Sequence, residues 1–169
     1  MDAGIMPDNT TLIRQLEKRI LKQYKHVSFC LDIRFYWSAS RQEVHFKPAE
    51  DIKDIWELLH EIAHAELRHN DFTRDIQLLR HEMAAWQHAK LQIAPHFTVS
   101  IDDNFAEAQL DSYRDWLHER SRCPKCTETG IQQTTSIYQC INCLCSWLVN
   151  DARLKRLRRT MLSNQNRFE

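Results

Sequence analysis

Apolar residues recur every three or four positions in four stretches of the chain, which is the spacing of helices that bury one face. These stretches predict helices at residues 10–25, 51–69, 75–93 and 103–119. Little interrupts them, because the chain has only two Gly and four Pro. The predicted buried faces are Leu12, Ile13, Leu16, Ile20 and Leu21 for the first helix, and Ile76, Leu79, Met83, Trp86 and Lys90 for the third.

Two stretches alternate between apolar and polar residues instead, as strands with one buried face do. They run from Phe29 to Trp37 and from Glu43 to Lys47, with a polar turn between them. Residues 97–100 predict a short extended piece, and residues 131–139 predict a hairpin. Residues 152–159 predict a short basic helix, whose apolar side is formed by Leu154, Leu157 and Met161. The pattern therefore predicts an α+β fold that is rich in helix and has a small β-sheet.

The composition fits a globular chain in a reducing compartment. Of the 169 residues 43% are hydrophobic, which is enough for one main domain with a small appendage. No apolar run reaches the length of a membrane span, and the N-terminus has neither the basic nor the apolar region of a signal peptide. We therefore expect a cytoplasmic protein with no membrane partner and with reduced thiols.

The net charge of zero hides an uneven distribution. Residues 120–169 carry nine Lys and Arg against three acidic residues, a charge of +6, which leaves −6 for residues 1–119. A basic C-terminal region predicts an anionic partner such as nucleic acid, although a solvated helix face explains the charge equally well.

The residues His60, Glu61 and His64 form an H-E-x-x-H element within the second predicted helix. Two histidines four positions apart on a helix point the same way, so both can bind one Zn²⁺. Glu61 can then act as the general base on the attacking water. The motif predicts a catalytic zinc site.

A catalytic zinc usually takes a third protein ligand, and the next helix offers His81 and Glu82 side by side. Adjacent helical residues point about 100° apart, so only one of them can face the metal. We favour Glu82, because it lies in line with Ala85 and Ala89 on a face that allows close packing, and His81 stays the alternative. His69 is a weaker candidate, because a continuous helix would rotate it away from His64.

Five of the six cysteines lie close together near the C-terminus. Cys123, Cys126, Cys140 and Cys143 form two C-x₂-C knuckles with thirteen residues between them, which is the spacing of a zinc ribbon. Four thiolates leave no position for water, so this second Zn²⁺ is expected to be structural. Cys145 is a spare thiol that could replace Cys143.

Residues 58–65 (LLHEIAHA) and 79–86 (LRHEMAAW) resemble the ImmA/IrrE-type metallopeptidases, a gluzincin-like family. The resemblance implies His60 and His64 as zinc ligands, Glu61 as base and Glu82 as third ligand. Members carry two acids in the second helix, whereas only one is present here. The H-E-x-x-H helix followed by a zinc ribbon also resembles the SprT-like metallopeptidases. These act on proteins bound or crosslinked to DNA, and this resemblance would make His81 the ligand.

The expected organisation is a zincin-like peptidase domain at 1–119, a zinc ribbon at 120–150 and a basic C-terminal helix or tail at 151–169. The expected function is that of a zinc metalloendopeptidase acting on a protein substrate, and the resemblance implies a DNA-associated regulator. The alternative is a non-catalytic zinc-binding adaptor that contacts nucleic acid or protein through the ribbon and the basic tail. The presence of Glu61 favours the enzyme.

Overall fold

The computed structural model of the chain describes residues 8–150 and 156–162. The chain divides into two compact units, each with helices and one small sheet. The first comprises Met1–Asp71 with His81–Asp103, and the second comprises Phe72–Arg80 with Asn104–Glu169. The predicted α+β class is therefore confirmed. No helix among the described residues is both long enough and apolar enough to cross a bilayer.

The first unit contains helices α1 (Asn9–Gln23) and α2 (Ile52–Glu66) and most of α3 (Asp75–His88). Helix α3 continues as a π-helix (Ala89–Ile93) and a 3₁₀-helix (Ala94–Phe97). Side chains cap the starts of the first two helices, because backbone N–H groups there have no helical partner. Asp8 accepts a hydrogen bond from the Thr11 amide, and Asp51 accepts from the amides of Lys53 and Asp54. Helix α2 packs against α1, the π-helix and two strands of the sheet.

That sheet has the order β1-β3-β2, with β1 at Ser28–Leu31, β2 at Tyr36–Ser38 and β3 at Glu43–Phe46. Strand β1 is parallel to β3, and β2 is antiparallel to it. The single strand predicted from Phe29 to Trp37 is therefore wrong. The chain bends at Asp32, whose side chain accepts a hydrogen bond from the Ile33 amide at 2.6 Å, and such local bonds favour a turn.

Helix α3 differs from the prediction in the face that it buries. Ile76 and Met83, placed in the predicted core, are 57% and 48% exposed. The buried positions of α3 are Leu78, Glu82, Ala85 and Trp86, of which only Trp86 belongs to the predicted face. The predicted face was chosen from the spacing of apolar residues alone. It differs from the buried face because this helix also buries the carboxylate of Glu82, which contacts His60.

Two further local predictions are corrected. The extended piece predicted at 97–100 is wrong at its start, since Phe97 ends the 3₁₀-helix and Thr98 follows with a left-handed φ of 60°. The α-helical part of the third predicted helix ends at His88, five residues earlier than predicted. The next five residues form the π-helix instead.

The second unit contains helix α4 (Asp103–Ser121) and a four-stranded antiparallel sheet. Its strands follow in chain order: β4 (Gly130–Gln132), β5 (Ile137–Cys140), β6 (Ser146–Val149) and β7 (Arg159–Met161). The core of this unit consists of Cys123, Tyr138, Cys140, Trp147 and Val149.

The predicted basic helix at 152–159 is wrong where the structure describes it, and residues 151–155 lie outside the described range. Residues 156–158 are not helical, and Arg159 begins a strand that pairs with β6. Asn150 favours this course, because its side chain accepts a hydrogen bond from the Arg158 amide at 2.7 Å and donates one to the Arg156 carbonyl.

Candidate metal centres

Helix α2 carries His60 and His64 one turn apart, with their side chains on the same face. Their Nε2 atoms lie 3.1 Å from each other, and the two rings meet edge to face. Both histidines are buried, at 4% and 7% exposure. The uninterrupted helix from Asp51 onward fixes this spacing, so the sequence motif becomes a pair of adjacent nitrogen donors.

Glu82 of helix α3 completes a group of three donor atoms. Its Oε2 lies 3.1 Å from His60 Nε2 and 3.6 Å from His64 Nε2, and the residue is 5% exposed. Ligands about 2.0–2.2 Å from a tetrahedral zinc are separated from each other by about 3.3–3.6 Å. A single proton can be shared by only two of these three atoms, whereas one metal ion can bind all three. The donor set therefore fits a divalent metal ion.

The electrostatics of the group couple the carboxylate to the histidines. Burial alone would raise the pKa of Glu82, but its hydrogen bonds to His60 and His64 and their charges outweigh burial and lower it well below the usual range. Burial alone would lower the pKa of His64, but Glu82 and Glu61 outweigh burial and raise it. The group therefore holds a negative carboxylate that favours a cation beside it.

Glu61 supplies a second carboxylate next to the histidine pair. Its oxygen lies within 4.8 Å of the ligand atoms of His60 and His64, and it is only partly buried. Of the two carboxylates, Glu82 has the hydrogen-bond contact with His60 and is buried. Glu61 is the less buried of the two.

His69, the weaker candidate of the sequence analysis, also reaches the site by contacting His64. Helix α2 ends at Glu66, not at residue 69, and Arg68 takes a left-handed φ of 52°. The amide of His69 then donates to the His64 carbonyl, and that of Arg68 donates to the Ala65 carbonyl, which together form a Schellman turn. Glycine is the usual sign of this turn, and the chain has arginine there, so the sequence pattern gave no indication.

The turn places His69 Nδ1 2.9 Å from His64 Nδ1. Burial and the neighbouring charges of His64 and His81 lower the pKa of His69 to about 4, so its ring is neutral at pH 7. A neutral ring can accept a hydrogen bond from His64 Nδ1. When a metal replaces the Nε2 proton of His64, a bond from His64 Nδ1 to His69 would keep the remaining proton on Nδ1 and leave the Nε2 lone pair for the metal. His69 is thus a positioning residue for His64.

His81 lies beside the three donor residues without joining them. Its ring stacks on His69, with centroids 4.3 Å apart and planes 9° from parallel. Trp86 stacks on His60 in the same way, at 4.1 Å. These stacking contacts restrict the rings around the three donors, and the structure brings Glu82, not His81, to the His60–His64 pair.

The four predicted cysteine ligands also converge. Cys123, Cys126, Cys140 and Cys143 have their sulfur atoms within 4.8 Å of one another, so they could hold a metal ion. Both knuckles have the same local geometry: an amide two residues on donates to the first sulfur at 3.4 Å, and a left-handed residue follows the second cysteine. These left-handed residues are Thr127 and Leu144.

Cys145 lies beside this cluster, with its sulfur 3.3 Å from Cys123 and 3.4 Å from Cys143. Burial raises the pKa of the Cys123 thiol, but amide donors outweigh burial and lower it to about 6. A hydrogen bond from the Cys145 amide lowers the pKa of Cys143, but burial and contacts with the other sulfurs outweigh it and raise this pKa to about 12. Cys145 therefore contacts two of the four sulfurs, whereas the group whose sulfurs all lie within 4.8 Å of one another contains Cys143.

The basic residues of the C-terminal region have different surroundings. Arg156 and Arg158 are exposed, whereas Arg159 donates to the backbone carbonyls of Glu119 and Arg122, each at 3.1 Å. Arg159 therefore holds β7 against the end of α4, and it contributes less to a charged surface than the sequence suggested.

Comparisons with known proteins leave the family of the chain open. The chain gives no significant match to any protein-family model, curated protein or solved structure. The resemblances to ImmA/IrrE-type and SprT-like peptidases therefore stay expectations that rest on the residues quoted for them.

Proposed function

We propose that the protein is a zinc-dependent metalloendopeptidase whose metal is held by His60, His64 and Glu82. The observation that carries the proposal is the convergence of two imidazole nitrogens and one buried carboxylate oxygen, with separations of 3.1–3.6 Å. Catalytic zinc sites commonly have three protein ligands of this kind and one position left for water. Glu61 beside them supplies the base that peptide hydrolysis needs.

Zn²⁺ at this site would act as a Lewis acid, polarising the substrate carbonyl and lowering the pKa of water. Glu61 would accept the proton of the attacking water on a carboxylate oxygen and return it to the leaving amine. His69 would keep the His64 ring in the tautomer that presents Nε2. Trp86 would limit rotation of the His60 ring by stacking on it.

The third ligand is tested by metal analysis of Glu82→Ala and His81→Ala, two neighbouring substitutions on one helix. We expect Glu82→Ala to lose one zinc per chain, because its carboxylate contacts both histidines, and His81→Ala to keep it, because that ring stacks on His69. The opposite result would move the ligand to His81 and favour the SprT-like interpretation.

The ribbon is proposed to hold a second, structural zinc through Cys123, Cys126, Cys140 and Cys143. Its four sulfurs leave no open position, so this metal would stabilise the fold and not take part in hydrolysis. Metal analysis of Cys143→Ser and Cys145→Ser separates the two possible ligand sets. We expect zinc to be lost only in Cys143→Ser, since Cys143 completes the second C-x₂-C knuckle.

Catalysis is tested with Glu61→Gln and unfolded casein as a generic protein substrate. Proton transfer by a positioned side chain contributes roughly 10²–10⁴-fold to the rate. We therefore expect kcat/KM for casein to fall by at least about 10²-fold while the zinc content stays that of the wild type. Equal cleavage by both proteins would refute the role of Glu61.

Binding of acetohydroxamate provides a test that does not depend on finding the right substrate. A hydroxamate chelates a zinc ion that has an open position, so wild type and Glu61→Gln should bind it, and His64→Ala should not. If the zinc-loaded protein neither binds acetohydroxamate nor cleaves casein, the site is not catalytic. The protein would then be a zinc-binding adaptor.

A further inference from the structure

We infer that the first unit contains another zinc site, separate from the two above, formed by Cys30, Glu43 and His45. A sulfur, a carboxylate oxygen and an imidazole nitrogen from these residues lie within 4.8 Å of one another. Thiolate, imidazole and carboxylate are all ligands of Zn²⁺, and three of them leave a fourth position for water. The inference does not depend on the peptidase proposal.

The strand pairing brings these residues together. Cys30 on β1 and His45 on β3 are direct partners in the parallel pair. Glu43 lies two residues before His45, and side chains two apart on a strand share a face. Val44, between them, points the other way and is fully buried. The three donors therefore lie on the face of the sheet opposite to Val44.

His45 gives the independent indication of a ligand. It is 3% exposed, and its Nε2 makes no hydrogen bond within the described part of the chain. The closest acid oxygen, on Glu43, is 3.6 Å away, which is too long for a hydrogen bond. A buried polar atom without a hydrogen-bond partner destabilises the folded state, so this nitrogen needs a partner.

The contacts of His45 hold its imidazole ring in one orientation, as a metal ligand requires. Its Nδ1 faces Asp32 Oδ2 at 3.2 Å. A carboxylate accepts hydrogen bonds, so Nδ1 carries the proton of the neutral ring, and in that tautomer Nε2 has the lone pair. Tyr36 stacks on the imidazole at 4.2 Å and donates to the same Asp32 oxygen. A carboxylate–histidine pair of this kind orients metal-binding histidines in zinc proteins.

The site can also be reached from solvent. The side chains of Glu43 and Asp32 are 30% and 28% exposed, and Cys30 is partly exposed. An ion can therefore arrive past the acidic side chains while His45 stays buried. The carboxylates of Glu43 and Asp32, both beside His45, also supply negative charge that attracts a divalent cation.

The test is the zinc content of the full chain, reduced and equilibrated with Zn²⁺, for wild type, Cys30→Ala and His45→Gln. We expect each variant to contain one zinc less than wild type, whatever the wild-type count. His88→Gln is the matched control, because His88 also pairs with a glutamate, Glu66 at 2.7 Å, but belongs to no three-donor group among the described residues. An unchanged zinc content in Cys30→Ala overturns the site.

Alkylation of Cys30 gives a second measurement in wild type, where no substitution can disturb folding. Iodoacetamide labelling, followed by mass spectrometry of the Cys30 peptide, should be at least about 10-fold slower with Zn²⁺ than without. Asp32→Asn should weaken this protection, since removing a partner of a ligating histidine lowers metal affinity by roughly 10–100-fold. If the labelling rate of Cys30 is the same with and without Zn²⁺, Cys30 is not a zinc ligand. If His64→Ala loses one zinc and Cys30→Ala keeps the wild-type content, only this inference fails. The reverse outcome refutes the proposed catalytic zinc and leaves this site standing.

Discussion

The replacement of Arg120 by methionine should strongly destabilise the second unit. Arg120 is only 1% exposed. Its guanidinium donates to the Tyr138 hydroxyl at 3.2 Å and to the Thr135 carbonyl at 2.6 Å, and it lies 3.8 Å from the Asp75 carboxylate. The Trp116 ring contacts it from one side, at 4.6 Å. Methionine fills a similar volume, so the substitution removes charge and hydrogen bonds and leaves little cavity.

The expected magnitude follows from the burial of this network. Removing one partner of a buried ion pair costs about 3–5 kcal/mol, because the other charge stays in the interior. Asp75 is 17% exposed and keeps a hydrogen bond from the Tyr138 hydroxyl, so part of its charge stays solvated. We therefore expect the lower end of that range, a loss of about 3 kcal/mol in the free energy of unfolding.

Native-state hydrogen exchange measures this loss in the second unit alone, through the slowest amides of β5 and β6. The same substitution at Arg122 is the control, since its side chain is 46% exposed and pairs with Glu119 at 3.4 Å. We expect Arg122→Met to change the free energy by less than about 0.5 kcal/mol. If both substitutions change it equally, the buried network does not stabilise this unit as argued.

Three further substitutions test local contacts. Gly130→Ala should cost about 1–3 kcal/mol in urea unfolding, because a Cβ there would overlap the fully buried Trp147 ring and lie 2.9 Å from a backbone carbonyl. An unchanged midpoint would show that the ring can move. Glu17→Ala should cost about 1–3 kcal/mol, because it removes the acceptor of the buried Ala49 amide, and Glu17→Gln should cost less because it keeps an acceptor. Asp51→Ala should lower the melting temperature through loss of about 1 kcal/mol of capping at the start of α2, and equal melting of Asp51→Asn and Asp51→Ala would contradict the capping role.

The sequence by itself determined the features that depend on local spacing. The H-E-x-x-H element lies on a helix, and the histidines four residues apart face one another because the helical repeat is 3.6 residues. The two C-x₂-C knuckles converge because their spacing matches a hairpin that joins them. The choice of Glu82 over His81 agrees with the geometry, since the small-residue face of α3 is the buried one. The metal and the reaction stay predictions.

Only the tertiary structure decided the features that depend on backbone turns and strand partners. Arg68 takes a left-handed conformation that non-glycine residues adopt rarely, and this conformation returns His69 to His64. The bend at Asp32 splits one predicted strand in two and pairs β1 in parallel with β3. That pairing places Cys30 beside His45, although they are fifteen residues apart in a pattern that marks neither. Strand partners are chosen by non-local packing, so the local sequence pattern gave no sign of the donor group formed between β1 and β3.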